Sequence, residues 1–440
     1  MSAPHIAFVD STLAGLSAFR TARELGCRVS FIEPRDSSFL AISSANATRL
    51  RPHLSHLHEH LRIPSLGGDG LLAALRELGE RHGRLDAVIT TSEAAILPVA
   101  RAAEAIGVLT PGANALENAV FKDRCRTALS HAGLRSPDFE VMSENQLLSG
   151  RAPRLCAPLV VKPTRGFGKQ FSAVCRTESD FQRFVATLQD ARRQSDPMIN
   201  HIVNREYILE AYISGSLHSV EVVVVDGDVR IYATTTRYRS RHNELLEMGY
   251  CMPSGLSAER LVALEAYVRE VFRAVDLRFG LYHVEVILGE DGPCLVEING
   301  RMMGGVGPQA YESVSGQDAF RWLVRLHLGE DITPDQAAIQ GAATVVLIGA
   351  REAGTVSGAF TQARLDALLQ RHGIGFCTLN LAPGQALRRF EGNVSVLGHV
   401  IVPGASAAAS ARQGQRFLHE LDELLGVEVA KYELDPEAGH

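Results

Sequence analysis

Two glutamates and an asparagine near the middle of the chain carry its clearest chemistry. Tyr282 to Leu288 reads as a β-strand, Gly289 to Pro293 as a turn, and Cys294 to Arg301 as a second strand. Strand side chains alternate faces, so Glu297, Asn299 and Arg301 point the same way. Pairing across the turn lets Glu285 lie on that face too. Two carboxylates and an amide oxygen, with no soft ligand beside them, suit a hard cation such as Mg²⁺. That ion keeps waters and binds through one or two carboxylates plus substrate phosphates. A solvated acidic face on an amphipathic hairpin is the plainer reading. The Val, Ile and Leu residues around the acids weigh against it, because a carboxylate in apolar surroundings is costly without a cationic partner.

A second group could handle phosphate. Pro158 to Pro163 is an apolar strand carrying Lys162, and it runs into Thr164-Arg165-Gly166-Phe167-Gly168-Lys169. Glycines let backbone N–H groups approach phosphate oxygens, and the cations neutralise them. A hairpin turn with surface basic residues would look alike, so the loop alone is weak evidence. Further on, Glu206 to Gly215 is an apolar strand with Glu210 near its end. An adenine ring could lie on such a segment, using backbone groups and an acceptor for its amino group.

These residues need elements to position them. His5 to Val9 (strand), Leu13 to Leu25 (helix, stopped by Gly26) and Val29 to Glu33 (strand) open the chain as an α/β sheet. Leu71 to Glu80 (helix), Ala87 to Thr91 (strand) and Ala94 to Ile106 (helix) extend it to about residue 112. The first turn, Asp10 to Gly15, lacks the G-x-G-x-x-G pattern, so a nicotinamide site is unsupported there. No G-x-x-x-x-G-K-[ST] occurs, which excludes a P-loop. Asn114 to Ala132 is expected to be helical and to carry Lys122. Residues 158 to 175 read as two strands around the glycine loop, and residues 190 to 204 as polar and irregular. Residues 206 to 300 alternate strands with one long helix, Ser257 to Val275. Ala319 to Leu328 is a helix. A last region mixes strands (Ala343 to Ile348, Val394 to Val402) with helices (Thr361 to Gln370, Ala407 to Leu425).

Bulk composition narrows the function classes. At 440 residues the chain should form about three domains of ~150 residues each and bury a large core. It is 46% hydrophobic and 21% charged, as soluble globular enzymes are. A net charge of −6 gives no electrostatic case for nucleic acid or an anionic membrane. No run approaches the ~18 apolar residues of a membrane span. Met1 to Gly15 has no basic start and carries Asp10 in its apolar stretch, so no signal peptide is expected. The seven cysteines are scattered and form no C-x-x-C. That pattern fits reduced thiols in a cytoplasmic protein rather than a disulfide framework or a zinc site.

Taken in order, Lys122 on a helix, Lys162 on a strand, the glycine loop, the acidic strand and the Glu…Glu-x-Asn hairpin resemble the ATP-grasp superfamily. The resemblance implies an α/β ATP-grasp fold with an α+β lid. Its parts would be a Rossmann-like preATP-grasp domain (1–112), a small lid subdomain (113–205), a catalytic subdomain with the metal site (206–330) and a C-terminal α+β subdomain (331–440). It implies ATP and Mg²⁺, with Mn²⁺ as the alternative metal. Lys122 and Lys162 would bind the nucleotide phosphates or base. Arg165, Gly166, Gly168 and Lys169 would form the lid loop. Glu210, Ala211, Tyr212 and Ile213 would hold adenine, and Glu285, Glu297 and Asn299 the metal.

Three stretches, Thr234 to Tyr238, Glu247 to Ser254 and Glu297 to Gly305, resemble more narrowly the L-amino acid ligases that make dipeptides. The C-terminal region resembles the extra subdomain of those ligases. This implies ATP-dependent joining of a carboxylate to an amine through an acyl phosphate, with small-molecule substrates, expected to be amino acids. Lys162 and Arg301 would be the catalytic cations, Arg301 clamping the carboxylate or acyl phosphate. Gly304 and Gly305 would leave a thin pocket wall, open to a medium or large donor side chain. A homodimer is left open. The rivals are another ATP-grasp ligase, carboxylase-like or of the purine pathway, and a non-catalytic ATP-binding module.

Two departures stand out. Leu217 occupies a position where the family often has an acid for the ribose, and Lys169 one where serine is common. Elsewhere, His53, His56, His58 and His60 cluster at a spacing that could gather a metal on a helix. Pro52 and Pro64 bracket them and no Cys or paired acid completes a site, which favours a surface segment. Ser92-Glu93 follows the strand ending at Thr91, at a carboxyl end where open α/β sheets bind ligands. It equally reads as a cap of the next helix.

Overall fold

A computed structural model describes residues 3–37, 50–240, 243–392 and 395–433. The chain opens with four parallel strands, β1 (His5–Val9), β2 (Arg28–Pro34), β3 (Glu59–Ile63) and β4 (Ala87–Ile89), in the order β3-β2-β1-β4. β1 is buried along its whole length, as a parallel strand covered on both faces must be. The first helix begins at Ser17, not at Leu13. The reason is local: the Thr12 hydroxyl accepts the Gly15 N–H at 3.1 Å and holds the preceding residues in a turn. The histidines do not share a helix. His53 and His56 lie in a 3₁₀ turn, Arg51–His56, and His60 lies on β3, bonded to Glu33 at 2.9 Å. His58 Nδ1 accepts the Val29 N–H at 3.2 Å. Among the described residues no group of three or more His, Cys, Asp or Glu is placed to hold a metal.

The stretch 114–132 is two helices, Ala113–Val120 and Lys122–His131, rather than one. Phe121 breaks it with an extended backbone (φ −83°, ψ 112°). Lys122 thereby becomes the first residue of the second helix, and its N–H bonds the Thr164 carbonyl at 2.9 Å.

A second sheet, antiparallel, contains β5 (Phe139–Ser143), β6 (Leu159–Pro163), β7 (Ala173–Cys175) and β8 (Glu206–Ala211) in the order β5-β8-β6-β7. Helix Glu178–Gln194 packs on it through Phe181 and Leu188. Residues 190–204 are largely helical rather than irregular: that helix runs to Gln194, and a short one spans Pro197–Ile202. Their polarity belongs partly to a buried guanidinium. Arg192 lies 4.0 Å over the Phe171 ring, pairs with Glu144 at 3.0 Å and donates to the Tyr207 hydroxyl at 2.9 Å.

The third sheet is the largest. It is built from β9 (Ser216–Val225), β10 (Asp228–Arg239), β11 (Glu247–Met252), β12 (Gly280–Gly289), β13 (Gly292–Asn299) and β14 (Ala342–Ile348). A small ribbon pairs β15 (Gly354–Thr355) with β17 (Ala386–Leu387), while β16 (Phe376–Cys377) and β18 (Gly398–Gly404) join the large sheet. Its order is β13-β12-β9-β10-β11-β14-β18-β16. Val220, Val222 and Val284 meet Val268 and Phe272 of helix Ala258–Val275 in one core. Two consequences bear on the expected domains. β8 is an inner strand of the second sheet although it follows residue 205. The strands after residue 331 continue the large sheet through β11–β14 pairing, so a boundary there cuts one sheet. The strand expected from Val394 begins at Gly398, and Val394 lies outside the described residues.

Candidate active site

Strand register assembles the site. Glu285 on β12 pairs with Glu297 on β13 and with Ser219 on β9, and Ser219 pairs with Thr235 on β10. Four polar side chains thus form one row across four strands. In the neighbouring row His283 pairs with Asn299 and with Glu221. The odd positions of β9 carry this polar face while Val220, Val222 and Val224 carry the core, a strict consequence of period two. The row forms one wall of a cavity of about 770 Å³, which the glycine loop and β6 of the second sheet close from the other side.

The hairpin residues meet there. Glu297 Oε2 lies 3.0 Å from Lys122 Nζ. Burial pushes the Glu297 carboxyl up, but Lys122 and Lys162 outweigh it and hold it below its usual range. Burial also raises Glu285, and a hydrogen bond from His283 with the charges of Arg237 and Lys169 more than reverses this. Asn299 Nδ2 donates to Glu297 Oε1 at 3.4 Å, and its Oδ1 faces Arg301 Nη2 at 3.5 Å. Beneath them, His283 Nδ1 donates to Glu221 Oε1 at 2.7 Å. Burial alone would lower the imidazole, but Glu221 and Glu285 raise it to about 9. It is then charged, and Arg237 Nη1, 3.3 Å from its Nε2, is a contact and not a hydrogen bond. The donors fit Mg²⁺: two ionised carboxylates face each other in register, an amide oxygen is beside them, and open cavity leaves room for phosphate oxygens and water.

Lys162 Nζ lies 2.7 Å from Glu210 Oε2. Arg126 Nε donates to Glu210 Oε1 at 2.7 Å and its Nη2 to the Val296 carbonyl at 2.8 Å. Burial works to raise Glu210, but Arg126 and Lys162 bring it down to about 2. Burial lowers Lys162, with Glu210 opposing. Of the two cations, Arg126 acts on Glu210 the more strongly. This changes the part expected of Glu210. Each oxygen already accepts from a cation, and Ala211, Tyr212 and Ile213 line the cavity beside it with apolar Leu217 and Ile287.

The rest of the expected set divides. Gly166, Gly168 and Lys169 line the cavity, and so do Arg301, Gly304 and Gly305. Arg165 does not. Its N–H bonds Asn204 at 3.2 Å and its guanidinium sits 5.7 Å from the centre of the Phe121 ring. Lys169 holds a left-handed backbone (φ +60°) and reaches within 3.6 Å of Glu247. Arg301 Nε is 3.3 Å from Glu93 Oε2, which gives Ser92-Glu93 a place beside the site; burial raises the Glu93 carboxyl against the charge of Arg301. Arg126, Glu221, Arg237, Glu244 and Glu247 were not expected in the cavity region. Arg237 and Glu247 lie within quoted stretches but carry no spacing signal of their own, and Arg126 looks like any helical arginine until the fold buries it.

A family model for the ATP-grasp domain matches residues 155–309. Carnosine synthase 1 of Gallus gallus is 30% identical over 185 residues, covering 42% of this chain and 20% of its own length. Dapdiamide A synthase of Enterobacter agglomerans is 25% identical over 202 residues, covering 42% of this chain and 44% of its own length. The chain thus matches less than half the length of either relative. In fold, it is similar to a crystal structure of the L-amino acid ligase from Bacillus licheniformis, with a TM-score of 0.77 and 19% identity over 99% of this chain and 100% of that one. Residues 155–309, which span the glycine loop, the acidic strand and the glutamate hairpin, are thus an ATP-grasp domain, and the chain around them is similar to amino acid ligases in fold.

Proposed function

We propose that the protein joins the carboxylate of one amino acid to the amine of a second substrate, using ATP and releasing ADP and phosphate. The observation that carries this reading is the convergence of Glu285, Glu297, Asn299, Arg301, Lys122, Lys162 and the glycine loop on one cavity. The donor carboxylate would take the γ-phosphoryl group, and the amine would then displace phosphate from the acyl phosphate. The protein's part is positioning and charge neutralisation. Lys122 and Lys162 neutralise phosphate oxygens, and the backbone at Gly166 and Gly168 approaches them. Arg301 aligns the donor carboxylate, since a guanidinium matches a planar oxyanion. The glycine loop keeps water from the acyl phosphate. Glu285, Glu297 and Asn299 would hold Mg²⁺, which would supply further charge stabilisation for phosphoryl transfer.

The test is phosphate release from Mg·ATP over pairs of amino acids, with and without bicarbonate, and mass spectrometry of the products. An amide product with equimolar phosphate supports the reading. Release that depends on bicarbonate supports a carboxylase-like ligase instead. Nucleotide binding without turnover on any pair supports a non-catalytic module.

A further inference from the structure

The cavity holds carboxylates that the proposed reaction leaves without a part. Glu221 lies under His283, and Glu244 is tied to Arg176, Tyr212 and Arg239 near the base-binding end. Glu247 is different. It stands on the cavity wall at the start of β11, close enough to Glu285 for the two charges to act on each other. Its Oε1 accepts from Arg237 Nη2 at 2.5 Å, and Arg237 is itself fixed between Glu247 and the ring of Tyr250, its register partner on β11. Among the described residues its Oε2 has Lys169 at 3.6 Å, which is beyond hydrogen-bond range. So one oxygen has a settled partner, and the other is attended loosely by a cation from the glycine loop. That loop cation sits on a left-handed backbone, a conformation that L-residues with side chains rarely adopt.

We infer that Glu247 Oε2 docks the ammonium group of the amine substrate, and that Lys169 covers it until nucleotide phosphates draw the lysine away. The inference rests on the ligase reading above. An amine substrate reaches the enzyme mostly as an ammonium, because α-amino groups titrate near ~8. Glu247 offers it a carboxylate of the right charge beside the metal-ligand row, where an acyl phosphate must be attacked. Tyr250, Met252, Val345 and Leu347 form an apolar surface next to it, which suits a primary amine with an apolar body. A triphosphate carries more negative charge than one carboxylate, and Lys169 lies on the loop that faces it. Nucleotide binding therefore exposes Oε2, and the amine binds second.

The probe is an equimolar mixture of the amides of the common L-amino acids. They carry an ammonium but no carboxylate to activate, so they report the amine position alone. Protein is mixed with them, with and without Mg²⁺ and a non-hydrolysable ATP analogue, and retained molecules are identified after ultrafiltration. Wild type should retain at least one amide about tenfold better with the analogue, and Glu247→Gln should lose about tenfold in retention while holding the analogue as wild type does. Lys169→Gly, which removes the ammonium at a φ that glycine accepts, should retain that amide equally with and without the analogue. Lys169→Arg should preserve the order. The inference is overturned if wild type holds the analogue but no amide, if Glu247→Gln retains amides as wild type does, or if Lys169→Gly still requires the analogue. Failure of wild type to hold the analogue would instead remove the ligase reading itself, and this inference with it.

Discussion

Each acidic residue of the cavity draws its character from one or two neighbours. Glu285 and Glu297 remain ionised against the pull of burial because cations face them. Glu297→Gln keeps the shape and removes the charge. It should leave the fold intact and lower ATP-dependent phosphate release by about 10²-fold or more, the cost of one hard ligand at a transferring phosphoryl group. Release near the wild-type rate would sink the metal assignment. Gly305 presents a second residue-scale test. A Cβ there would meet nothing within 4 Å, but its φ of +59° disfavours most residues other than glycine. Gly305→Trp should shift donor preference toward small side chains, and Gly305→Asn, which tolerates that backbone, should not. The comparison is kcat/KM for alanine and for a large donor in all three proteins. An unchanged ranking in Gly305→Trp would mean that Gly304-Gly305 serves backbone geometry alone.

The elements act by bringing distant side chains to common faces. β12 and β13 hold the two glutamates opposite each other, and the break at Phe121 delivers Lys122 to Glu297. Gly300 ends the hairpin with a close approach: a Cβ there would lie 2.7 Å from Ile96 Cδ1 and 2.9 Å from Leu116 Cδ1. Helices of the first part of the chain therefore buttress the strand end that carries Asn299 and Arg301. The glycine loop between β6 and β7 is the element expected to respond to nucleotide. Trypsin cleavage at Arg165 and Lys169 should fall several-fold on adding Mg·ATP, as closure orders the loop over the phosphates. Equal cleavage in both states would argue against a lid.

Over the whole molecule, two buried ion pairs set opposite limits on pH. Glu210 is lowered from 4.5 to about 2 in the folded protein. A lowered carboxyl stabilises the fold above its unfolded value, and that contribution is lost as pH falls through 4.5 toward 2. His283 is raised from 6.5 to about 9, so its contribution is complete below 6.5 and is lost as pH climbs toward 9. Each is worth on the order of 3 kcal/mol. The metal-free protein should be most stable between the two ranges. Thermal melts across pH 3 to 9, on the order of that whole window, would show it. His283→Asn should flatten the alkaline side and Glu210→Gln the acid side. An alkaline loss of the same size in wild type and His283→Asn would mean that another group controls it.

How much of this was legible beforehand follows from what each signal depends on. Period-two alternation and a short turn make the Glu285, Glu297 and Asn299 face readable, because strand geometry alone decides it. The glycine loop was only half readable, since a hairpin turn with surface basic residues looks alike, and its place on the cavity comes from the fold. The α/β class and the ATP-grasp order of motifs came from the chain. Other features depended on contacts between segments far apart in sequence. Glu210 reads as an acceptor for a base, and nothing in the sequence shows that Arg126, 84 positions earlier, bonds to it. Residues 190–204 looked irregular because a buried arginine reads as a polar one. The helix expected across 114–132 breaks at Phe121, where the next N–H turns to the Thr164 carbonyl. The strands after residue 331 looked like a separate unit because sheet partners leave no mark in a sequence. The chain by itself determined most of its elements and the shared face of Glu285, Glu297 and Asn299, which local periodicity encodes. Only the tertiary structure decided which cation meets which carboxylate, because burial and long-range pairing, not spacing, set those partners.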